Sequence, residues 1–148
     1  METQPDFKEL LALFSAHQVE HLIVGGYALA FHGAPRFTGD LDILVKPDAT
    51  NAQRILNALK AFGFTSMGLT QDDFESPDQV VQLGVPPVRI DLITSLTGVS
   101  WDEAWAGRTT GNYGDIPVDY IGREQFIANK RAIGRTKDLA DLEMLGET

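Results

Sequence analysis

Two aspartates that open an apolar run constrain this chain more than any other feature. Asp40 and Asp42 alternate with Leu41, Ile43 and Val45 in the segment DLDILV. Residues two apart in a strand point to the same face, about 6.6 Å from each other. The register that buries the aliphatic side chains therefore displays both carboxylates together on the opposite face. Aspartates at strand ends are often only solvated, so this pair alone leaves a structural explanation open.

A third aspartate strengthens the functional interpretation. The segment VRIDLI alternates in the same way, with Ile90 and Leu92 on the core side and Asp91 on the other side together with Arg89. If the two strands are neighbours, about 4.8 Å apart, Asp91 can meet Asp40 and Asp42 across the sheet. Clustered carboxylates repel one another and therefore favour binding of a hard divalent ion, either Mg²⁺ or Mn²⁺. We predict Asp40, Asp42 and Asp91 as catalytic, metal-binding residues of a two-metal site, with one acid free to accept a proton.

A pair of glycines precedes the first two aspartates. Gly25 and Gly26 lie between an apolar strand and a helix, where glycine lets the backbone approach a phosphate and aims free N–H groups at it. Alone, such a pair is usually a tight turn. Arg36 and Thr38 lie just before the acids and could add a guanidinium and a hydroxyl. The alternative for both is simple solvation in a loop.

The rest of the chain indicates a mixed fold. Apolar periodicity and capping residues predict helices over residues 5–18, 25–33, 48–63, 100–105, 123–133 and 136–145, and strands over 22–24, 40–46, 79–85 and 88–94, with a hairpin over 109–121 and an irregular segment over 65–78. The hairpins exclude a purely parallel sheet. We expect one α/β (α+β) domain over residues 1–148, a mixed β-sheet flanked by helices, with a short C-terminal helical pair over about 123–146.

Composition excludes several classes of protein. There are no cysteines, so disulfides, thiolate zinc sites and thiol nucleophiles are absent. The net charge of -9 opposes broad attraction to nucleic acid. Basic residues nevertheless concentrate in residues 123–137, a stretch that could face a phosphate. No apolar run or leader pattern indicates a membrane or export, so we expect a cytoplasmic protein.

Taken together, these motifs resemble the nucleotidyltransferase superfamily, which includes DNA polymerase beta. The segment GGYALAFHGAPRFTGDLDILV, followed by RIDLI and by KRAIGRTKDLADLEML, is most similar to nucleotidyltransferases related to the abortive-infection toxin AbiEii. The resemblance implies that Gly25 and Gly26 contact phosphate, that Asp40 and Asp42 hold metal, and that Asp91 activates the acceptor. Many relatives have serine where this chain has Gly26, so phosphate contact here would rest on backbone amides.

The same resemblance draws attention to the C-terminal helices. Lys130 is predicted to neutralise charge on a bound triphosphate, and Arg36 and Thr38 are predicted to help contact its phosphates. For Asp138 and Asp141 we favour a purely structural interpretation. In that interpretation the charges are solvated and the helical core is made by Ala128, Ile133, Leu139 and Leu142.

The leading hypothesis is a Mg²⁺-dependent, nucleotide-binding enzyme that transfers a nucleoside monophosphate from an NTP such as ATP to a hydroxyl and releases pyrophosphate. The acceptor could be an RNA such as tRNA, a protein or a small molecule. A catalytically idle binding module, acting as a toxin–antitoxin type partner, is the main alternative. A metal-dependent phosphohydrolase that uses the same acids is a third hypothesis.

Overall fold

A computed structural model describes residues 3–34, 39–64 and 68–147 of the chain. The helices are α1 (Pro5–Ala16), α2 (Gly25–Phe31), α3 (Ala49–Phe62), α4 (Asp72–Glu75), α5 (Trp101–Ala106), α6 (Arg123–Ile133) and α7 (Thr136–Met144). The strands are β1 (His21–Val24), β2 (Asp40–Val45), β3 (Val80–Leu83), β4 (Arg89–Ile93), β5 (Thr109–Tyr113) and β6 (Ile116–Tyr120). This alternation of helices and strands confirms the predicted α/β class.

The six strands form one mixed sheet in the order β3-β4-β2-β1-β6-β5. Three neighbouring pairs are antiparallel: β1 with β2, β3 with β4, and β5 with β6. The pairs β2 with β4 and β1 with β6 are parallel. Strand β2 therefore lies near the centre of the sheet, between β1 and β4, and both of the predicted site segments meet there.

Helix ends follow from local chemistry. Asp48 caps α3 by accepting a hydrogen bond from the Asn51 amide, and Gly63 ends it in the left-handed region at φ 107°. Ser100 and Glu103 form a reciprocal capping box at the start of α5. These boundaries agree with the sequence expectations, because the capping residues are themselves the signals from which the boundaries were predicted.

The core is formed by the apolar face of α1, the inner strands and one side of α3. Phe7, Leu10, Leu11 and Phe14 are buried along α1, and Leu41, Ile43 and Val45 are fully buried in β2. Burial of the β2 side chains confirms the register predicted for the two aspartates. None of the described helices is long and apolar enough to cross a membrane.

One segment differs from the expectation. Residues 65–78 are polar and were predicted to be irregular, but α4 forms within them and its Phe74 is fully buried. The Thr70 amide donates a hydrogen bond to Asp73 Oδ2 and so connects Thr70 to the first turn of α4, while residues 65–67 lie outside the described residues. A single aromatic anchor among acidic residues gives no periodic pattern, which is why the short helix is not visible in the sequence.

Candidate active site

The three predicted aspartates lie on two neighbouring strands. Parallel pairing of β2 with β4 places Asp42 opposite Asp91 and Asp40 opposite Arg89. Asp91 is 8% exposed, whereas Asp40 and Asp42 are partly exposed. The expectation that strands 40–46 and 88–94 are neighbours is thus confirmed, and residues opposite each other in a parallel pair share one face of the sheet.

The glycine turn contacts the same carboxylates. Antiparallel pairing of β1 with β2 puts Val24 opposite Asp42, so that Gly25 follows directly beside it. Gly25 has a φ of +66°, and a Cβ added there would overlap Asp42 Oδ2. Gly26 lies in the first turn of α2. Only glycine satisfies both the backbone conformation and the close approach of the Asp42 side chain at position 25.

Arg89 holds Asp91 in a two-point ion pair. Its Nε donates to Asp91 Oδ1 at 3.1 Å and its Nη2 donates to Asp91 Oδ2 at 3.0 Å. The same Nε lies 3.8 Å from Asp40 Oδ2. The pKa of Arg89 is raised by its hydrogen bonds to Asp91 and by the charge of that carboxylate. Sequence alternation already placed Arg89 on the face of Asp91, but it did not indicate this contact.

Asp42 carries an unfavourable charge. The pKa of Asp42 is raised to about 6, first by burial and then by the nearby carboxylates of Asp91 and Asp40, while the charges of Lys130 and Lys137 oppose the shift. A carboxylate that is partly removed from water beside two others is stabilised by an added cation or by a proton. The site is therefore prepared for a positively charged ligand.

A cavity of about 210 Å³ opens in front of Asp42. The glycine turn, Gly25 and Gly26, forms one wall together with Asp42. Residues of α6 and α7 and of their connection form the opposite wall, and they include three cations, Lys130, Arg135 and Lys137. The cavity is thus lined by two carboxylates, Asp42 and Asp141, and by three cations, a combination that suits a ligand carrying both a metal ion and phosphate groups.

Lys130 is buried rather than projecting freely into this cavity. It is 9% exposed, and its Nζ lies 3.4 Å from Asp138 Oδ1 and 3.8 Å from Asp141 Oδ2. Arg135 also binds Asp138, with Nε donating to Oδ2 at 2.7 Å and Nη2 donating to Oδ1 at 3.2 Å. The pKa of Asp138 is lowered to about 2, chiefly by the hydrogen bond from Arg135.

The prediction that Asp138 and Asp141 are solvated is therefore wrong. They are 0% and 3% exposed, while Leu139, which was expected in the helical core, is 49% exposed. Ala128 is also exposed and Ile133 is partly buried, so that Leu142 alone of the four predicted core residues is fully buried. The helical pair turns its charged side inward because Lys130 and Arg135 compensate the two carboxylates.

Two predicted site residues, Arg36 and Thr38, lie outside the described residues. Arg135 and Lys137 line the cavity without having been predicted individually, although the basic stretch at 123–137 indicated a region that could face a phosphate. Lys137 is exposed, unlike Lys130, and its charge lowers the pKa of Asp42. Lys137 is thus the more accessible of the two lysines that act on Asp42.

Helix α2 is held at the end opposite the glycine turn. His32 Nε2 donates to the carbonyl of Ile121 at 2.7 Å, and the Phe31 ring stacks on Tyr120 with centroids 4.0 Å apart. His32 therefore makes the local hydrogen bond of a structural residue. The contacts connect α2 to β6 and to the residue that follows it.

Metal binding can be judged from the donor set. Among residues 3–34, 39–64 and 68–147, no three histidine, aspartate or glutamate side chains are grouped so that they could hold a metal ion. Arg89 binds both oxygens of Asp91, Asp42 lines the cavity, and Asp40 lies two residues before Asp42 on the same face of β2. One or two carboxylates, completed by water and substrate phosphate, are the usual protein contribution to a magnesium site. The donor set therefore fits Mg²⁺ through Asp40 and Asp42.

A second, larger cavity of about 440 Å³ lies elsewhere, between α3 and Phe64, Gly68 and Leu69. Leu56, Lys60, Phe64 and Leu69 contribute to its lining. It contains none of the aspartates described above. Size alone does not make it the better candidate, because its described lining residues include no aspartate, glutamate or histidine that could bind a metal ion.

Comparisons with known proteins bear on the fold. No family model and no curated protein matches the sequence. Among solved structures, TM1012, a Thermotoga maritima protein assigned as a nucleotidyltransferase, superposes with a TM-score of 0.65 at 14% identity, over 96% of this chain and 93% of that one. The lincosamide antibiotic adenylyltransferase LnuA, bound to lincomycin, superposes with a TM-score of 0.60 at 17% identity, over 97% of this chain and 96% of LnuA.

A third neighbour is the antibiotic-resistance factor ANT(2'')-Ia. It gives a TM-score of 0.60 at 13% identity, over 95% of this chain and 80% of its own. At these identities the likeness concerns the path of the backbone and not the chemistry of particular side chains. The six-stranded mixed sheet with its flanking helices is thus a nucleotidyltransferase-like fold.

Proposed function

We propose that the protein is a nucleotidyltransferase that moves a nucleoside monophosphate from an NTP to an acceptor hydroxyl. The observation that carries the proposal is the shared cavity: Asp42, beside Asp91 on the neighbouring strand, faces the Gly25–Gly26 turn and three cations across it. The fold of the solved neighbours supports the same reaction class.

The triphosphate would occupy the cavity between the glycine turn and the C-terminal helices. Backbone N–H groups at Gly25 and Gly26 would donate to phosphate oxygens, and Lys137 with Arg135 and Lys130 would balance their charge. Asp40 and Asp42 would hold Mg²⁺ or Mn²⁺, which supplies charge neutralisation for the phosphates when it is bound. Arg36 and Thr38 remain predicted phosphate contacts.

Asp91 would act as the proton acceptor. The acceptor hydroxyl gives its proton to an Asp91 oxygen, while the hydroxyl oxygen forms a bond to the α-phosphorus and the bond from that phosphorus to the bridging oxygen breaks. Pyrophosphate leaves with the electron pair of that bond. Two of the four lone-pair positions of the Asp91 carboxylate are used by Arg89, so others stay available for the proton.

For the acceptor we propose a small hydroxylated molecule. LnuA is an adenylyltransferase of an antibiotic, and this chain covers 96% of its length. The net charge of -9 opposes a large nucleic-acid partner unless a local basic surface compensates. RNA and protein acceptors are the alternatives that the experiment below separates.

The direct test is label transfer. The protein is incubated with α-labelled NTPs, Mg²⁺ and, separately, aminoglycoside and lincosamide antibiotics, tRNA and protein acceptors. We expect label on a small molecule, with pyrophosphate released in equal amount, and loss of transfer by at least about 100-fold in Asp42→Asn and in Asp91→Asn. Asp115→Asn, a change at a carboxylate that is 76% exposed, serves as the matched control and should keep full activity.

Other outcomes discriminate the alternatives. Phosphate release without any acceptor would indicate a phosphohydrolase. Failure to bind Mg²⁺ with NTP at millimolar concentrations, measured by isothermal titration, would favour the idle binding module. Label transfer that persists in both aspartate variants would contradict the assigned site.

We also propose that the chain is of the AbiEii type, on the basis of its C-terminal segment. Lys130, Arg135 and Asp141 of that segment line the cavity, and Asp138 lies buried behind them. A toxin of this type should arrest bacterial growth when it is expressed without a cognate antitoxin, and Asp42→Asn should relieve the arrest. Equal growth of both cultures would speak against a toxin role while leaving nucleotidyl transfer open.

A further inference from the structure

Arg89 is a fixed positive charge among the candidate catalytic carboxylates, and the proposed reaction gives it no role so far. It lies opposite Asp40 in the register and two residues before Asp91 on the same strand. Its guanidinium grips Asp91 at 3.1 and 3.0 Å and passes 3.8 Å from Asp40. Side-chain exposure is 33% for Arg89 and 12% for Asp91, so water screens this pair only in part.

The two-point geometry determines what else Asp91 can bind. A guanidinium retains its charge at any relevant pH, and its fork matches the two oxygens of a carboxylate. A divalent ion bridging Asp42 and Asp91 would have to sit beside that cation on the same carboxylate, where the two positive charges repel. Within the described part of the chain, no group of three acidic or histidine ligands is assembled for such an ion.

We infer that Arg89 takes the place of a second metal ion beside Asp91, so that the site binds a single divalent ion at Asp40 and Asp42. Arg89 is then a positioning residue, which holds the Asp91 carboxylate toward the acceptor side while the triphosphate and its one ion occupy the cavity. This inference rests on the proposed nucleotidyl transfer. It replaces the two-metal site that the sequence motif predicts.

The charge of Arg89, more than its shape, should set the ion count. In Arg89→Met the aliphatic stem is retained but the cation is removed, so that no positive charge beside Asp91 repels a metal ion bound to its carboxylate. In Arg89→Lys the charge is retained, although one ammonium replaces the two-point fork. The two variants therefore separate electrostatic exclusion of a second ion from loss of side-chain packing.

The experiment counts bound Mn²⁺ with the full chain. Mn²⁺ is titrated by electron paramagnetic resonance in the presence of a saturating α,β-methylene NTP, and the free-ion signal, compared with that of a titration of the same nucleotide without protein, gives the number bound per chain. We expect one Mn²⁺ in the wild type and in Arg89→Lys, and two in Arg89→Met. Arg54→Met is the control and should bind one, because the Arg54 side chain donates to the Gln18 carbonyl and not to a site carboxylate.

The possible results lead to different conclusions. Two ions in the wild type, or one ion in a folded Arg89→Met, would overturn the inference and leave nucleotidyl transfer intact. If Arg89→Met fails to fold, as judged by circular dichroism, the wild-type and Arg89→Lys counts decide the matter. No bound Mn²⁺ and no bound nucleotide in the wild type would overturn the proposed function itself.

Discussion

The backbone of Gly25 lies so close to the carboxylate of Asp42 that position 25 has no room for a Cβ. Gly25→Ala should therefore displace Asp42 as well as strain the backbone, which is held at φ +66°. We expect a loss of about 1–3 kcal/mol in the free energy of unfolding and of at least about 10-fold in nucleotide affinity. Denaturant unfolding and isothermal titration measure the two effects.

Gly68 offers a matched control for that substitution. It has a φ of +67°, and a Cβ there would meet none of the described atoms within 4 Å. Gly68→Ala should therefore reproduce the backbone strain without disturbing Asp42. Equal loss of nucleotide affinity in the two variants would contradict the direct contact between Gly25 and Asp42 as the cause.

The raised pKa of Asp42 predicts a stability that depends on pH. Its folded pKa of about 6 exceeds the ordinary value of 3.8, so that ionised Asp42 destabilises the fold above pH 6 and the penalty disappears as pH falls to about 4. Asp42→Asn lacks this penalty. We expect its Tm to exceed that of the wild type by about 3–8 °C at pH 8 and to match it at pH 4. Thermal melts without added metal test this, and a constant difference at all pH values would contradict it.

Asp138 predicts the opposite pH dependence. Its pKa is lowered to about 2 by the hydrogen bond from Arg135, so that its contribution to stability is complete above pH 4 and is lost as pH falls toward 2. That contribution is about 2 kcal/mol. Asp138→Asn leaves buried Lys130 with less compensation and should cost about 2–4 kcal/mol at pH 7. Urea unfolding at pH 7 and at pH 2.5 should show the difference shrinking with acid.

Leu139 provides the control for the Asp138 substitution. It is adjacent in sequence but 49% exposed, so that Leu139→Ala should change the free energy of unfolding by less than about 1 kcal/mol. The reverse order of the two effects would restore the original prediction, in which Leu139 belongs to the core and Asp138 to the surface.

The two lysines on the cavity wall should respond differently to substitution. Lys137 is exposed and acts on Asp42 through its charge, so Lys137→Ala should weaken NTP binding about 5- to 30-fold with little change in Tm. Lys130→Met should lower both the NTP affinity and the Tm, because Lys130 also compensates the charges of buried Asp138 and Asp141. Lys60→Ala, on α3 at the other cavity, is the control for both titrations. Unchanged affinity in Lys137→Ala would remove Lys137 from the site.

Local patterns account for what the sequence predicts well. The alternation around Asp40 and Asp42 leaves only one register that buries Leu41, Ile43 and Val45, so the face of the carboxylates follows directly. The proximity of Asp91 to Asp40 and Asp42 could be predicted only on the condition that their strands are neighbours, because the order of strands in a sheet depends on the whole chain. Pairing of β2 with β4 provides this information: Arg89, the start of the RIDLI segment, is 47 positions after Asp42 in the sequence, but the two strands are adjacent in the sheet.

Charged residues account for what the sequence predicts poorly. A run of acidic and basic residues on a short helix normally indicates a solvated face, and Asp138 lies within such a run. Its burial depends on Lys130, eight residues earlier on a different helix, and on Arg135 in the connection between them. In the same way, the pairing of Arg89 with Asp91 depends on side-chain conformation, which alternation along a strand does not specify.

The anchoring of α2 to β6 has a consequence for binding thermodynamics. Phe31 stacks on Tyr120 and His32 donates to Ile121, so the end of α2 opposite the glycine turn is held by contacts that form when the chain folds. A ligand that binds at Gly25 and Gly26 then has little backbone left to order in α2. The conformational entropy of α2 is therefore lost when the chain folds and not when the ligand binds. Less of the free energy of interaction with phosphate is then offset by ordering of the backbone, so the affinity is higher.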